Sequence, residues 1–383
     1  NGGTNGYFLK TDGSGNTSWA EAGGGVDSDS SGNTVGGTNA GDSITSGGER
    51  NTAFGFDAGT AITTGDGNTA IGYQALKTAT TGGYSTAVGR GALEKNTAGD
   101  NTAVGFYAGN ENTSGTRNNS FGQQAGRETT TGEDNCSFGN IALNYNTTGS
   151  KNTALGNFAL RYPTNKSENT AVGYYSLGGG ANTGQRNTAV GTESGYASTS
   201  GEENTMMGYR SGYNLTSASY AVLLGADAGK LLTTANYSTA VGREALMQIT
   251  TAGYNTAIGA KCLNGLNGSN ADYNTAVGNQ AGSNLQTGAN NIIIGSTAQP
   301  TSSSTSNEIT LGNQYINKFR IPGLSLEASR SAVTQGGVFY ENAQTVSSNY
   351  TITNGRNAMA AGPITIASGV TVEVGADETL TIV

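Results

Sequence analysis

Residues able to do chemistry are sparse in this sequence, and their types exclude more reactions than they permit. The 383 residues include 27 Asp and Glu, 19 Lys and Arg, two Cys and no His. Without His there is no Ser-His or Cys-His nucleophile, no imidazole base and no His-containing metal cluster. A pair of carboxylates about 5–9 Å apart could still hydrolyse a glycosidic bond, but no spacing in the chain singles one out. Asp27-Ser28-Asp29-Ser30-Ser31-Gly32 offers the first oxygen donors of a calcium loop. Its twelfth position is Thr38, where a bidentate Glu is needed, so the segment reads as a polar linker. Cys136 and Cys262 each replace a small residue of a repeated pattern. At about 4.8 Å per repeat they lie more than about 30 Å apart, too far for a disulfide, and both read as free, packed thiols. The expectation is no enzyme: no catalytic residue, no metal and no cofactor.

The one regular placement of charge is a row: Asp100, Arg117, Asp134, Lys151, Glu168, Arg186 and Glu203 alternate in sign, and Tyr220, Tyr237, Tyr254 and Tyr273 continue the spacing. Such a row acts together only if the backbone brings residues about one repeat apart side by side. It is then either a ligand-binding stripe or an exposed ladder that fixes register. Each exposed pair is worth only about 0–1 kcal/mol, but alternation disfavours a slip of one repeat, which would set like charges together. The ladder is the preferred reading.

The positioning element is a repeat. Asn-Thr-Ala-Val-Gly or a variant recurs with its glycine at Gly37, Gly55, Gly72, Gly89, Gly105, Gly122, Gly139, Gly156, Gly173, Gly191, Gly208, Gly225, Gly242, Gly259, Gly278, Gly295 and Gly312. Most gaps are 17 residues and the rest are 16, 18 or 19. A short period sustained over this length predicts a solenoid, each repeat one coil stacked on the last. The fold class expected is all-β, a parallel β-solenoid of about 17 coils.

Within a coil, the motif reads as a short strand with Thr and Val on one face and Ala on the other. The bulky position after Ala, from Phe54 and Ile71 to Ile294 and Leu311, is expected to fill the lumen. Thr shares that inward face, its hydroxyl bonding along the stack. The Ala row (Ala103, Ser120, Ser137, Met206, Leu223, Ile293) is then outward, and needs a partner because it too is apolar or small. Gly-x-x-Ala/Ser-Gly/Leu reads as a second strand, with Leu in the core and Gly easing a bend, and stretches such as Thr129–Asp134 read as exposed turns. Pro163 falls in one of these turns.

Composition agrees with thin, repetitive β-structure. Gly is 62 residues, only 34% are hydrophobic, and 12% are charged, too few for simple disorder. A net charge of −8 without basic clusters argues against nucleic acid as a partner, and no apolar run approaches a membrane span. The chain begins at Asn1 and reads as part of something longer. Three regions follow: residues 1–25, a connector hairpin and Gly-rich linker; 26–312, the solenoid; 313–383, a separate β-rich C-terminal module able to cap it.

The repeat resembles the Asn-Ser-x-Ala-Ile-Gly repeat of trimeric autotransporter adhesin heads, over roughly residues 33–312. The ends are similar to tail-fibre proteins of bacteriophages, notably cyanobacterial phages: Gly3 to Trp19, Phe319-Arg320-Ile321-Pro322-Gly323-Leu324, and above all Phe339-Tyr340-Glu341-Asn342 through Asn357 to Ile366. These resemblances imply a left-handed β-roll, a homotrimer, and a structural and adhesive tail fibre located in the virion tail. Its partners would be other virion tail proteins and a host cell-surface glycan or protein, with Phe339, Tyr340 and Tyr350 as receptor-binding candidates. The alternatives are a bacterial trimeric surface adhesin head on the cell surface and a glycan-cleaving tailspike. An ice-binding solenoid ranks last, because its Thr row reads as inward.

Overall fold

The computed structural model describes residues 7–11, 17–21, 27–180, 184–321, 326–329, 345–352, 358–360 and 362–382. They contain strands and turns and no helix. The chain divides into two compact units, residues 1–312 and 313–383. In the first, 17 three-residue strands stack in parallel, one per repeat, from Thr34–Gly36 to Ile309–Leu311. Each pairs with the strands of the repeats before and after it, with like residues opposite: Thr153 on Thr170, Ala154 on Ala171, Leu155 on Val172. This is a parallel β-solenoid of about 17 coils, roughly 80 Å long at ~4.8 Å per coil. Asp27–Ser28 pairs antiparallel with its first strand. Tyr7–Thr11 and Thr17–Glu21 form an antiparallel hairpin.

Each coil has one strand, where two were expected. Beyond the motif glycine the backbone turns left-handed at the second and fourth residues, as at Gln74 (φ 56°) and Leu76 (φ 51°), and again just before the next motif, as at Tyr84 (φ 57°). Alternating right- and left-handed residues curl the chain, so Gly-x-x-Ala/Ser-Gly/Leu is a turn that cannot extend. Its amides still bond between coils: Gln74 N–H donates to Phe56 O at 2.8 Å, and Leu76 N–H to Ala92 O at 2.9 Å. The motif glycine is required by space as well as by φ. At Gly156 (φ 137°) a Cβ would sit 2.6 Å from Gly173 O of the next coil.

The faces of the strand are the reverse of the sequence reading. Ala53, Ala70, Ala87, Ala103, Ala154 and Ala171 are fully buried, whereas the bulky row and the Thr row lie outside, half-buried or exposed. The reason is the opposite wall of the lumen. Leu76, Leu93, Leu143, Leu160, Leu177, Leu246 and Leu263 all point in from the turn and leave room for a methyl alone. Where the inner strand position is large, the turn position shrinks. A Cβ at Gly212 would come 2.9 Å from Leu223 Cδ1, and one at Gly195 2.8 Å from Met206 Cε. The leucines hold left-handed backbone (φ 43–52°). That costs about 1–2 kcal/mol each, offset by about 1.5–3 kcal/mol from burying the side chain.

The motif asparagines form a buried ladder. Asn187 Oδ1 accepts from Asn204 N–H at 3.0 Å and from Asn204 Nδ2 at 3.0 Å, while Asn187 Nδ2 donates to Gly201 O at 2.8 Å. The arrangement recurs at Asn118, Asn135, Asn274 and Asn291. The threonine hydroxyls that bond along the stack are also different from those expected. They belong to the loops: Thr113 donates to Thr130 O, Thr130 to Thr147 O and Thr216 to Thr233 O, at 2.9–3.1 Å.

In residues 313–383, Lys318–Ile321 pairs antiparallel with Leu326–Ser329. The remaining strands pair in parallel across about one further coil: Thr345–Val346 with Thr365–Ile366, Tyr350–Thr351 with Val372–Glu373, and Ala358–Ala360 with Leu380–Ile382. Ile352 is buried between them.

Candidate binding surfaces

The first surface is the outer face of the strand ladder. From the second coil onward each coil adds one or two apolar side chains to it, among them Phe54, Ile71, Val88, Phe138, Leu155, Met207, Ile258 and Ile294. Phe138 is 55% exposed and Ile294 44%. Where Thr gives way to Val222, Ile292 and Ile309 the face becomes apolar across its width. Phe121 and Phe138 stack on it at 5.8 Å. The apolar row runs along the strand ladder from Phe54 to Leu311. Cys136 stands in the Thr row of this face and is exposed, not packed as the sequence suggested. Its counterpart Cys262 is buried; burial pushes its thiol up to about 12, and Sγ donates to Ala276 O at 3.2 Å.

The second surface is the row preceding each motif, where Asp100 to Tyr273 all adopt left-handed backbone (φ 54–63°). The turn projects them to one side in axial order. Arg117 bonds Asp134 at 2.5 Å and Glu133 at 2.8 Å; Arg186 pairs with Glu203 at 2.8 Å, and Lys151 reaches Glu168 at 4.0 Å. The hydrogen bond from Arg117 holds the Asp134 carboxyl below the usual range, and the one Arg186 donates to Glu203 raises Arg186. Tyr220, Tyr237, Tyr254 and Tyr273 stack face to face at 4.8, 5.1 and 5.0 Å.

The third surface follows the motif glycine and was not singled out from the sequence. Here arginines lie over aromatic rings. Arg90 covers Tyr73, Phe106 and Tyr107 at 5.5–5.8 Å, and Arg161 covers Tyr162 at 4.7 Å and Phe158 at 5.6 Å. Arg210 sits over Tyr209 at 4.9 Å while bonding Glu193 at 2.6 Å. The Nε atoms of Arg127 and Arg161 are buried without a hydrogen-bond partner. Burial, then the neighbouring Tyr213, raises the Tyr196 phenol, so it remains a hydroxyl donor. The signal available in the sequence was aromatic and basic residues one, two, five and six places after successive glycines.

Of the receptor-binding candidates, Tyr350 is exposed in its two-residue strand, while Phe339 and Tyr340 lie outside the described residues. The Asp29 carboxylate accepts from Ser31 N–H, Asn33 N–H and Asn33 Nδ2 at 2.8–2.9 Å and is lowered first by Asn33. It closes a turn. Among the described residues no three His, Cys, Asp or Glu side chains gather in a metal-binding group. No protein family, curated protein or solved structure compared with the chain matches it.

Proposed function

We propose that this chain is one subunit of a homotrimeric, adhesive bacteriophage tail fibre in which left-handed β-rolls associate side by side through their outer strand faces. The observation that carries this reading is the unbroken apolar row from Phe54 to Leu311, beside the Thr row on the same outer face. A partner must offer apolar groups at the same ~4.8 Å rise over many coils, and a second copy of the chain does so by construction. Three copies around an axis bury the strip on each. The charged and tyrosine row then serves as a register ladder between coils, leaving the other turns to meet a host-surface glycan or protein. Three identical faces give avidity without one strong site, which suits a thin fibre on a virion tail. The phage assignment itself draws on the likeness of the chain ends to tail-fibre sequences. A bacterial surface adhesin head would share the geometry, and the genes flanking the reading frame separate the two.

The test is the mass in solution. Light scattering should give three times the 38.6 kDa chain mass. Val190→Lys together with Val172→Lys, on the outer row, should give folded chains of single mass. A wild-type chain that is stably folded as a monomer would refute the proposal.

A further inference from the structure

The buried asparagine ladder begins and ends on a carboxylate. Inside the stack, a motif Asn accepts the amide of the next motif on Oδ1 and gives Nδ2 to a loop carbonyl just before it. Asn33 Oδ1 accepts from Asn51 N–H at 2.9 Å, and Asn33 Nδ2 donates to Gly48 O at 2.8 Å. Asn33 opens the series and has no motif Asn before it. Asp29 does that work instead. Its Oδ1 accepts from Asn33 N–H at 2.8 Å and Ser31 N–H at 2.9 Å, and its Oδ2 accepts from Asn33 Nδ2 at 2.8 Å. The same turn lays Asp27–Ser28 antiparallel on the first strand, where a further coil would have to pair in parallel. At the other end Glu308 stands where every earlier motif carries Asn, Ser or Ala. Its N–H still donates to Asn291 Oδ1 at 2.9 Å. Its carboxylate turns back into its own coil and accepts from Thr301 N–H at 3.1 Å, Thr301 Oγ1 at 2.7 Å and Thr310 Oγ1 at 2.8 Å. Thr310 occupies the inward strand position, paired with Ile293 of the coil before.

We propose that Asp29 and Glu308 are end locks, which close the ladder within the chain and stop one solenoid from stacking head to tail on a second copy. The chemistry differs at the two ends because the needs differ. The first coil has amide donors without an acceptor, and an ionised carboxylate supplies acceptors only. The last coil must not offer a donor onward. Asn there would present Nδ2 to a further coil, whereas Glu has no N–H to give and spends its oxygens on Thr301 and Thr310. Open strand edges recruit further chain, and the terminal coils of a repeat protein need a polar outer face for the same reason. Both carboxyls are held below the usual range, Asp29 first by Asn33 and Glu308 first by Thr301, so each is a charged acceptor at neutral pH. The locks concern the ends of the stack and apply whatever number of chains pack side by side.

The experiment uses the full chain. Asp29→Ala should speed amide hydrogen exchange at Ser31 and Asn33 by about tenfold or more, and Glu308→Ala should do the same at Thr301. Exchange at Asn187, in the middle of the stack, should stay at the wild-type rate in both. Asp29→Asn keeps the Oδ1 acceptor but turns an amide toward Asn33 Nδ2, so its exchange at Asn33 should fall between wild type and Asp29→Ala. Combining Asp29→Ala with Glu308→Asn leaves an unpaired amide at one end and a free donor at the other. The mass of this double variant by light scattering should rise with concentration in multiples of the wild-type particle, and electron micrographs should show rods of two or more solenoid lengths. Unchanged exchange at Asn33 in Asp29→Ala, or a double variant that keeps the wild-type mass at every concentration, would overturn the inference. So would a wild type that already forms head-to-tail rods.

Discussion

Replacing Asn187 by Ala removes the side chain that ties its coil to the next. Asn187 is fully buried; its Nδ2 donates to Gly201 O, and its Oδ1 accepts from the backbone and side chain of Asn204. The substitution strands the Asn204 N–H and the Gly201 carbonyl inside the coil. Each buried unpaired group costs about 1–3 kcal/mol, so the loss should be about 2–6 kcal/mol. Solenoid stability is a sum of local and nearest-neighbour terms, so the damage should centre on this coil and split thermal unfolding into two steps. Asn187→Asp sharpens the test. It keeps an acceptor for Asn204 but turns an oxygen toward Gly201 O, so its folded-state pKa is raised above the unfolded value of ~3.9. Above ~3.9 the folded chain holds the extra proton, and stability falls with rising pH until the folded pKa is passed. The variant should approach wild type near pH ~3 and be least stable at neutral pH. Asn119→Ala, exposed on the outer face, should stay within about 0.5 kcal/mol of wild type. The assay is denaturant and thermal melting by circular dichroism, with hydrogen exchange at Asn204. Asn187→Ala matching Asn119→Ala, or Asn187→Asp with no pH dependence relative to wild type, would refute the ladder reasoning.

Face assignment is open to a paired test: Ala171→Val should destabilise by about 1–3 kcal/mol through overpacking, whereas Val172→Thr should change stability by less than about 1 kcal/mol; the opposite order would restore the inward bulky row. Lys151→Glu places an acid between Asp134 and Glu168 and should lower the melting temperature slightly, more at low salt than at high salt. Equal melting at both salts, with loss of adsorption to host cells, would make the row a binding stripe. Cys262, its thiol pushed up to about 12 by burial, should resist maleimide until unfolding. Cys136 should react freely in the monomeric outer-row variant and slowly in the trimer; equal rates would place the contact on another face. Incubation with acidic or neutral polysaccharide should release no new reducing ends, and release abolished by changing one Asp or Glu would establish a hydrolase.

The glycine spacing was enough to show a stack of coils, their parallel order, their number and the axial alignment of every row. Equal repeats stacked in parallel put equivalent residues side by side, so Arg117 beside Asp134 and Tyr237 beside Tyr254 follow from their shared offset from the motif. Leu76 and Leu160 as core residues were equally legible, being large apolar side chains at one fixed offset.

Which face of the strand lies inside was not legible. Alternation separates Thr and Val from Ala but does not say which set points inward, because neither set is polar enough to require water. The tertiary structure decides it through the width of the lumen. Leucines entering from the opposite turn leave space for Ala and no more, and glycine there makes room for Met206, Leu223 and Ile293. The exposure of Cys136, the loop threonines' hydrogen bonds and the outward apolar strip all follow from that choice. Likewise the glycine at Gly179 is accounted for only by packing, since the Tyr196 ring of the next coil lies against its backbone where a Cβ would sit. The repeat alone therefore determined the stack, while cross-coil packing determined what the stack hides and what it offers to a partner.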